Sequence, residues 1–318
     1  MNNYIIGGGV AGLVASFILK EDGFRIIDAN PLGQMAGKFP LGPRIIQNDG
    51  ETFGLLKDLG FQGNEISVKN NRIGFSRSRP GAVIIEQNPD QDFRAEYSYI
   101  TRGTRDFEPS FMSDGKNTIE ALEIIGSKDS YKEILELLFK QCGKTIIPNQ
   151  VKTINIDEKI VILDDGTELP YDNLISTIDL RLLMRMIVGQ NTLPGSLMLE
   201  TRKKSFYLCK YSNLIDRDFH NAGYDYVYSV SRTYTRKTYL DSGIVYETIE
   251  PIRGHMIEDN LIVERKENIP IQIKKSLNLT SFAADAYLLG RYAQWSHKIK
   301  LNEVLATVLK WRQDGQFK

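Results

Sequence analysis

Short apolar runs broken by glycine and polar turns set the pattern of this chain. Residues 4–6 (Tyr-Ile-Ile) read as a buried strand, and residues 10–20 carry helix-forming residues. A second apolar run at 24–27 ends on an acid, Asp28. Residues 51–59 predict a short amphipathic helix stopped by Gly60. From 66 to 87, Ile73, Phe75, Val83, Ile84 and Ile85 alternate with turn residues, which predicts antiparallel strands joined through Arg79-Pro80-Gly81. Residues 88–116 are polar and loop-like. Residues 127–141 predict a helix with Ile134, Leu135, Leu138 and Phe139 on one face and Gly143 as its stop.

Strands follow at 144–147 and 150–154, then a hairpin of 159–163 and 168–170 about Asp164-Asp165-Gly166, then a buried strand at 174–179. Residues 180–279 read as a separate antiparallel sheet, with strands at 206–211, 224–232, 234–239 and 244–249. The chain ends with an apolar strand running into Gly290-Arg291 and a polar aromatic loop. A helix over 301–311 then turns Val304, Leu305, Val308 and Leu309 inward. No internal repeat or low-complexity linker interrupts this order.

The first turn carries the most specific chemistry. Gly7, Gly9 and Gly12 occupy the three glycine positions of a βαβ dinucleotide fingerprint, with Val10 and Ala11 opening the helix. The first glycine permits a tight turn, and the second leaves room for a pyrophosphate. The third lets the helix pack closely on the strand, so the helix N–H groups aim at the phosphates. Asp28, at the end of the second strand, is placed to accept hydrogen bonds from a ribose.

Composition narrows the class. At 318 residues and 42% apolar content, two domains sharing one cofactor cleft are expected. Forty basic and forty acidic residues cancel, which argues against bulk attraction to nucleic acid or acidic membranes. Cys142 and Cys209 form no C-x-x-C, so a redox disulfide and a cysteine zinc cluster are excluded, and both read as small core residues. There is no Ser-His-Asp order and no H-E-x-x-H, and no metal site is expected. The chain begins straight into its first strand and has no apolar run of membrane-spanning length, so a soluble cytoplasmic protein is expected.

After Asp28 the chain continues Ala29-Asn30-Pro31-Leu32-Gly33-Gln34-Met35-Ala36-Gly37-Lys38, then Gly42-Pro43-Arg44. This second glycine-bearing loop resembles the flavoprotein branch that includes amine oxidases, protoporphyrinogen oxidase and UDP-galactopyranose mutase. The Gly290-Arg291 strand end and the helix after it are similar to the last FAD motif of the same branch. The resemblance covers residues 1–60, 130–180 and 280–318.

It implies an α/β fold: a Rossmann-like, GR2-type FAD-binding domain of residues 1–75, 130–180 and 280–318. An antiparallel-sheet substrate or cap domain of 76–129 and 181–279 would be inserted in it. It implies FAD as cofactor. The contacts would be Gly7, Gly9, Val10, Ala11, Gly12, Asp28 and Ala29, then Gln34, Met35, Ala36, Gly37 and Lys38. Gly42, Pro43, Arg44, Val151 near the adenine, Gly290, Arg291, Lys300 and Leu301 complete the set. The start of the last helix would face the flavin N1/C2 carbonyl.

The implied reaction is amine-oxidase-like hydride transfer from a small substrate to flavin N5. Arg236 resembles an arginine near the flavin, and His297 is placed to move a proton. Arg102, Arg105 and Arg232 are further candidates for an anionic substrate, and Tyr226, Tyr228 and Tyr234 for lining a cleft. Alternatives remain open: non-redox flavin chemistry of the mutase or lyase kind on a nucleotide or modified-base substrate, or a non-catalytic FAD module. A basic group of Arg202-Lys203-Lys204 with Arg232, Arg236 and Lys237 offers a seat for a nucleic-acid backbone, a less favoured reading. The oligomeric state is left open.

Overall fold

The structure is a computed structural model. It describes residues 1–31, 46–47, 51–58, 60–61, 63–75, 82–85, 99, 118–124, 130–189, 199–211, 226–229, 234–240, 242–251, 261–273, 276–296 and 299–317. The elements run β1 (Asn3–Ile6), α1 (Val10–Ile18), β2 (Phe24–Ile27), β3 (Ile46–Gln47), α2 (Glu51–Asp58), β4 (Gly63–Phe75), β5 (Ala82–Ile85), β6 (Thr118–Ile124) and α3 (Ser130–Cys142). Then come β7 (Ile146–Ile147), β8 (Val151–Asn155), β9 (Ile160–Leu163), β10 (Glu168–Pro170), β11 (Asn173–Ser176), α4 (Leu180–Met186) and β12 (Ile187–Val188). The last part holds β13 (Thr201–Cys209), β14 (Tyr226–Ser229), β15 (Arg236–Leu240), β16 (Gly243–Thr248), β17 (Ile262–Ile273), β18 (Ser281–Ala283), β19 (Ala286–Leu288) and α5 (Leu301–Gln313).

A six-stranded sheet of order β18-β19-β11-β1-β2-β7 forms the centre. All its pairings are parallel except β18 with β19. Its strand order reverses between β1 and β11, and such a switch point is where open α/β sheets bind ligands. Alternation along β1 explains the layers. Ile5 faces a core built with Leu13, Ile18, Leu138, Leu305 and Val308, so α1, α3 and α5 cover that side. Tyr4 and Ile6 face the other core, with Val161, Leu163, Leu180 and Leu183, where α4 and the four-stranded sheet β10-β9-β8-β12 pack. Both sides are covered, which is why the strands read as continuous apolar runs.

The third sheet is larger, of order β17-β13-β16-β15-β14-β4-β6-β3, with β5 paired to β4. It draws on residues from 46 to 273, and β14 lies parallel to β4 while its other pairings are antiparallel.

Several expectations change. Residues 180–186 form a helix packed in the central core, and 187–188 pair with β8, so this stretch does not begin the large sheet. Conversely, β4 belongs to the large sheet, whereas the sequence pattern places residues 63–75 in the cofactor half. The sheet also holds β6 and β17, which the sequence pattern does not predict. Phe139 is 37% exposed while Ile134, Leu135 and Leu138 are buried. At 100° per residue, Phe139 lies past the edge of the stripe that the other three define. Cys142 and Cys209 are buried and form no disulfide, and burial pushes the Cys142 thiol pKa up, away from reactivity. No helix among the described residues is long and apolar enough to cross a membrane.

Candidate functional site at the glycine turn

The turn between β1 and α1 fixes the geometry. Gly7 sits at φ +103°, and its N–H donates to the Ile27 carbonyl at 3.1 Å. A Cβ there would lie 2.6 Å from Thr177 Oγ1 and 2.9 Å from Ile178 Cγ2. A Cβ at Gly12 would fall 1.9 Å from the Gly7 carbonyl oxygen, so the close approach of helix to strand requires glycine. Gly9 is different: among the described residues its Cβ would meet nothing within 4 Å, at the start of α1.

Gly9 is the N-cap of that helix, no side chain among the described residues caps it, and its first turn holds no acid. The early N–H groups and the positive end of the helix dipole at such a start suit a phosphate. Asp28 closes one side. Its carboxylate accepts the Gly8 N–H through Oδ2 and the Asn30 N–H through Oδ1 at 2.7 Å. A carboxylate has about four acceptor positions, so capacity remains for ribose hydroxyls. Ala29, next to it, is exposed.

The C-terminal segment arrives at the same place. Gly290 has φ +94°, and a Cβ on it would lie 2.9 Å from the Ala11 Cβ. Its N–H donates to Gln294 Oε1 at 3.1 Å, closing the loop on itself. Arg291 is partly buried and donates from Nε to the Ile299 carbonyl at 3.3 Å, tying the loop to the approach of α5. Lys300 is the N-cap of α5, its N–H accepted by Glu303 at 2.8 Å, and Leu301 is buried. Val151 is also buried, its side chain part of the core behind β11.

A third segment, leaving β11, binds the other two together. Thr177 Oγ1 donates to the Ile6 and Gly7 carbonyls, at 3.0 Å each. The Leu180 N–H donates to the Tyr292 carbonyl at 3.1 Å, and the Leu289 N–H to that of Ser176 at 3.0 Å. Asp179 caps α4 and takes two hydrogen bonds from the Arg181 guanidinium, which holds the Arg181 pKa above its ordinary value. That guanidinium lies 5.2 Å from the ring of buried Trp295. Burial pushes the Tyr292 hydroxyl up to about 12. Thr177, Asp179 and Arg181 escaped the sequence reading. The small polar end of the 174–179 strand was the signal that could have found them.

Arg236 lies elsewhere, on the large sheet. It is buried, and both Nε and Nη2 engage Glu247 Oε1, with the Nε contact at 2.6 Å. Lys204 Nζ lies 3.5 Å from the other oxygen of Glu247. On the opposite face, buried Lys237 sits 4.7 Å from the Tyr234 ring and 5.0 Å from that of Tyr246. Of the basic group expected for a nucleic-acid backbone, Lys204, Arg236 and Lys237 are 7%, 9% and 8% exposed, too enclosed to seat it, while Lys203 is exposed. Gln34, Met35, Ala36, Gly37, Lys38, Gly42, Pro43, Arg44, Arg102, Arg105, Arg232 and His297 lie outside the described residues, as do the side chains of Arg202, Tyr226 and Tyr228.

No protein-family model matches the chain, and no curated protein matches it in sequence. Solved structures do match. Reduced UDP-galactopyranose mutase is 14% identical with a TM-score of 0.66, covering 99% of this chain and 94% of its own. An oxidoreductase from Methanosarcina mazei is 11% identical with a TM-score of 0.64, over 98% of this chain and 100% of its own. Putrescine oxidase bound to putrescine is 10% identical with a TM-score of 0.63, over 100% and 99%. The chain has the fold of the flavoprotein branch that includes UDP-galactopyranose mutase and putrescine oxidase.

Proposed function

We propose that this protein is an FAD-dependent enzyme with a GR2-type cofactor domain, in which the pyrophosphate rests over Gly9 at the start of α1. One observation carries the reading: the glycine turn and the Gly290 loop, from distant parts of the chain, meet at Ala11 at a helix start that no described side chain caps. The residues fit the group. Val10, Ala11 and Gly12 offer helix-start N–H groups, Asp28 has acceptor capacity for a ribose, and Arg291 brings a cation beside the turn. Lys300 and Leu301 begin the helix directed to the flavin end, and the main chain at Val151 edges the adenine end. Ala29, Gln34, Met35, Ala36, Gly37, Lys38, Gly42, Pro43 and Arg44 continue the wall in this reading.

When bound, FAD supplies a hydride acceptor at flavin N5. We assign an oxidoreductase of the amine-oxidase kind acting on a small molecule. The large sheet, mostly residues 63–124 and 199–273, forms the substrate wall, and His297 is the proton-transfer candidate. A second reading, non-redox flavin chemistry of the mutase or lyase kind on a nucleotide or modified-base substrate, is supported by the likeness in fold to reduced UDP-galactopyranose mutase.

Anaerobic titration of the flavin-loaded protein separates the two. Bleaching of the flavin absorbance by amines is the expected result. Bleaching by NADPH alone, with no response to any amine, would overturn the oxidase assignment in favour of the second reading.

A further inference from the structure

We propose that Thr177 and Asp28 form a two-sided lock on the Gly7–Gly8 peptide, and that Thr177 is thereby a positioning residue for the pyrophosphate; the second clause rests on the FAD reading above. A peptide flanked by two glycines has no Cβ on either side to hold its orientation. Turned one way, its N–H meets the Asp28 carboxylate and the N–H groups that follow, at the start of α1, are left to an anion. Flipped, it would set its carbonyl oxygen against that carboxylate and shift the turn that aims them.

Here both ends of that peptide are held. The Gly7 carbonyl accepts Thr177 Oγ1 at 3.0 Å, and the Gly8 N–H donates to Asp28 Oδ2. The Ile6 carbonyl already accepts the Thr177 N–H at 2.9 Å, so the distinct contribution of the hydroxyl falls on Gly7. Parallel register puts the three groups in line. Ile6 is opposite Ile27 on one side and Ser176 on the other, so Gly7, Asp28 and Thr177 each stand one residue beyond their strands. The hydroxyl also fills the space that two glycines vacate, 2.6 Å from a Cβ at Gly7 and 3.2 Å from one at Gly12.

The test uses the full chain with T177V, which keeps the shape and loses the hydroxyl, and T177S, which keeps the hydroxyl. T177A serves as a second hydroxyl-free variant if T177V does not fold. Two quantities are read: FAD affinity, and exchange protection of the Gly8 amide in flavin-free protein labelled at glycine. Loss of one hydrogen bond predicts FAD binding weakened about fivefold to tenfold in T177V and restored to within about twofold in T177S. Gly8 protection should fall in T177V and in D28N without a matching fall at core amides. Unchanged Gly8 protection in both variants would overturn the lock. Wild-type FAD affinity in T177V, with Gly8 exposed, would overturn its positioning role. A wild-type protein that binds no FAD, yet shows Gly8 protection relieved by T177V, would sustain the lock and sink the FAD reading alone.

Discussion

The central sheet and the large sheet solve opposite problems. Around the glycine turn, geometry comes from what side chains are absent: a left-handed Gly7, a Gly12 with no room for a methyl group, and a Gly9 whose Cβ position meets no described residue. Charge there is supplied by backbone N–H groups at a helix start. On the large sheet, charge comes from full side chains sunk in the interior, with Arg236 and Lys204 sharing Glu247. Backbone sites of the first kind are rigid and already oriented. A buried ionic group costs desolvation, which only its own pairing offsets. The first region thus presents preset backbone donors, and the second an enclosed ionic group held by its own pairing.

The sharpest way to break this contrast is Glu247→Ala. Removing the carboxylate leaves two buried cations facing each other, and a loss of about 3–5 kcal/mol in denaturant unfolding is expected. A loss under about 1 kcal/mol would mean that the group is solvated and no interior feature. Gly12→Ala comes next. Helix propensity alone would stabilise by up to about 1 kcal/mol, but a Cβ 1.9 Å from a backbone oxygen must displace it. Overpacking of this kind costs about 1–3 kcal/mol, so a lowered unfolding midpoint is expected. An unchanged or raised midpoint would break the glycine account.

Gly9→Ala sharpens the contrast within one turn. Nothing among the described residues lies near its Cβ and its φ of −76° suits alanine, but alanine is a poorer N-cap than glycine, so a stability loss of no more than about 1 kcal/mol is expected. FAD binding should still weaken about tenfold or more, because the methyl group enters the cradle. Equal binding would put the phosphate elsewhere.

The smallest effect is with pH. Burial pushes both Tyr171 and Tyr292 from 10 to about 12, with the charge of Asp285 adding to the Tyr171 shift. Each hydroxyl is thus held protonated by folding. Its stabilisation is complete below pH 10 and is lost as pH rises from 10 through 12. Tyr171→Phe should flatten that slope in alkaline thermal melts, and an identical slope would contradict the assignment.

The same contrast explains what was legible in the sequence. Gly7, Gly9, Gly12 and Asp28 could be read because local backbone geometry demands those residue types at that spacing. Gly290 could be recognised, but not its contact with Ala11, which depends on α1 and α5 packing together. Arg236 was visible as a cation. Its partner Glu247 was hidden because their pairing depends on the β15–β16 register, which sets Leu240 against Gly243. Strand β17 escaped because its centre, Glu-Arg-Lys-Glu-Asn, is polar on both faces of an edge strand. Helix α4 is seven residues long, too short for its period to stand out from a strand.

The most direct measurement is calorimetric titration of the flavin-free protein with FAD and, separately, with riboflavin, which has the ring but no pyrophosphate. If both ends of the chain cradle the phosphates, FAD should bind about a hundredfold tighter or better. Equal affinity for the two, or no binding of either, would contradict the account.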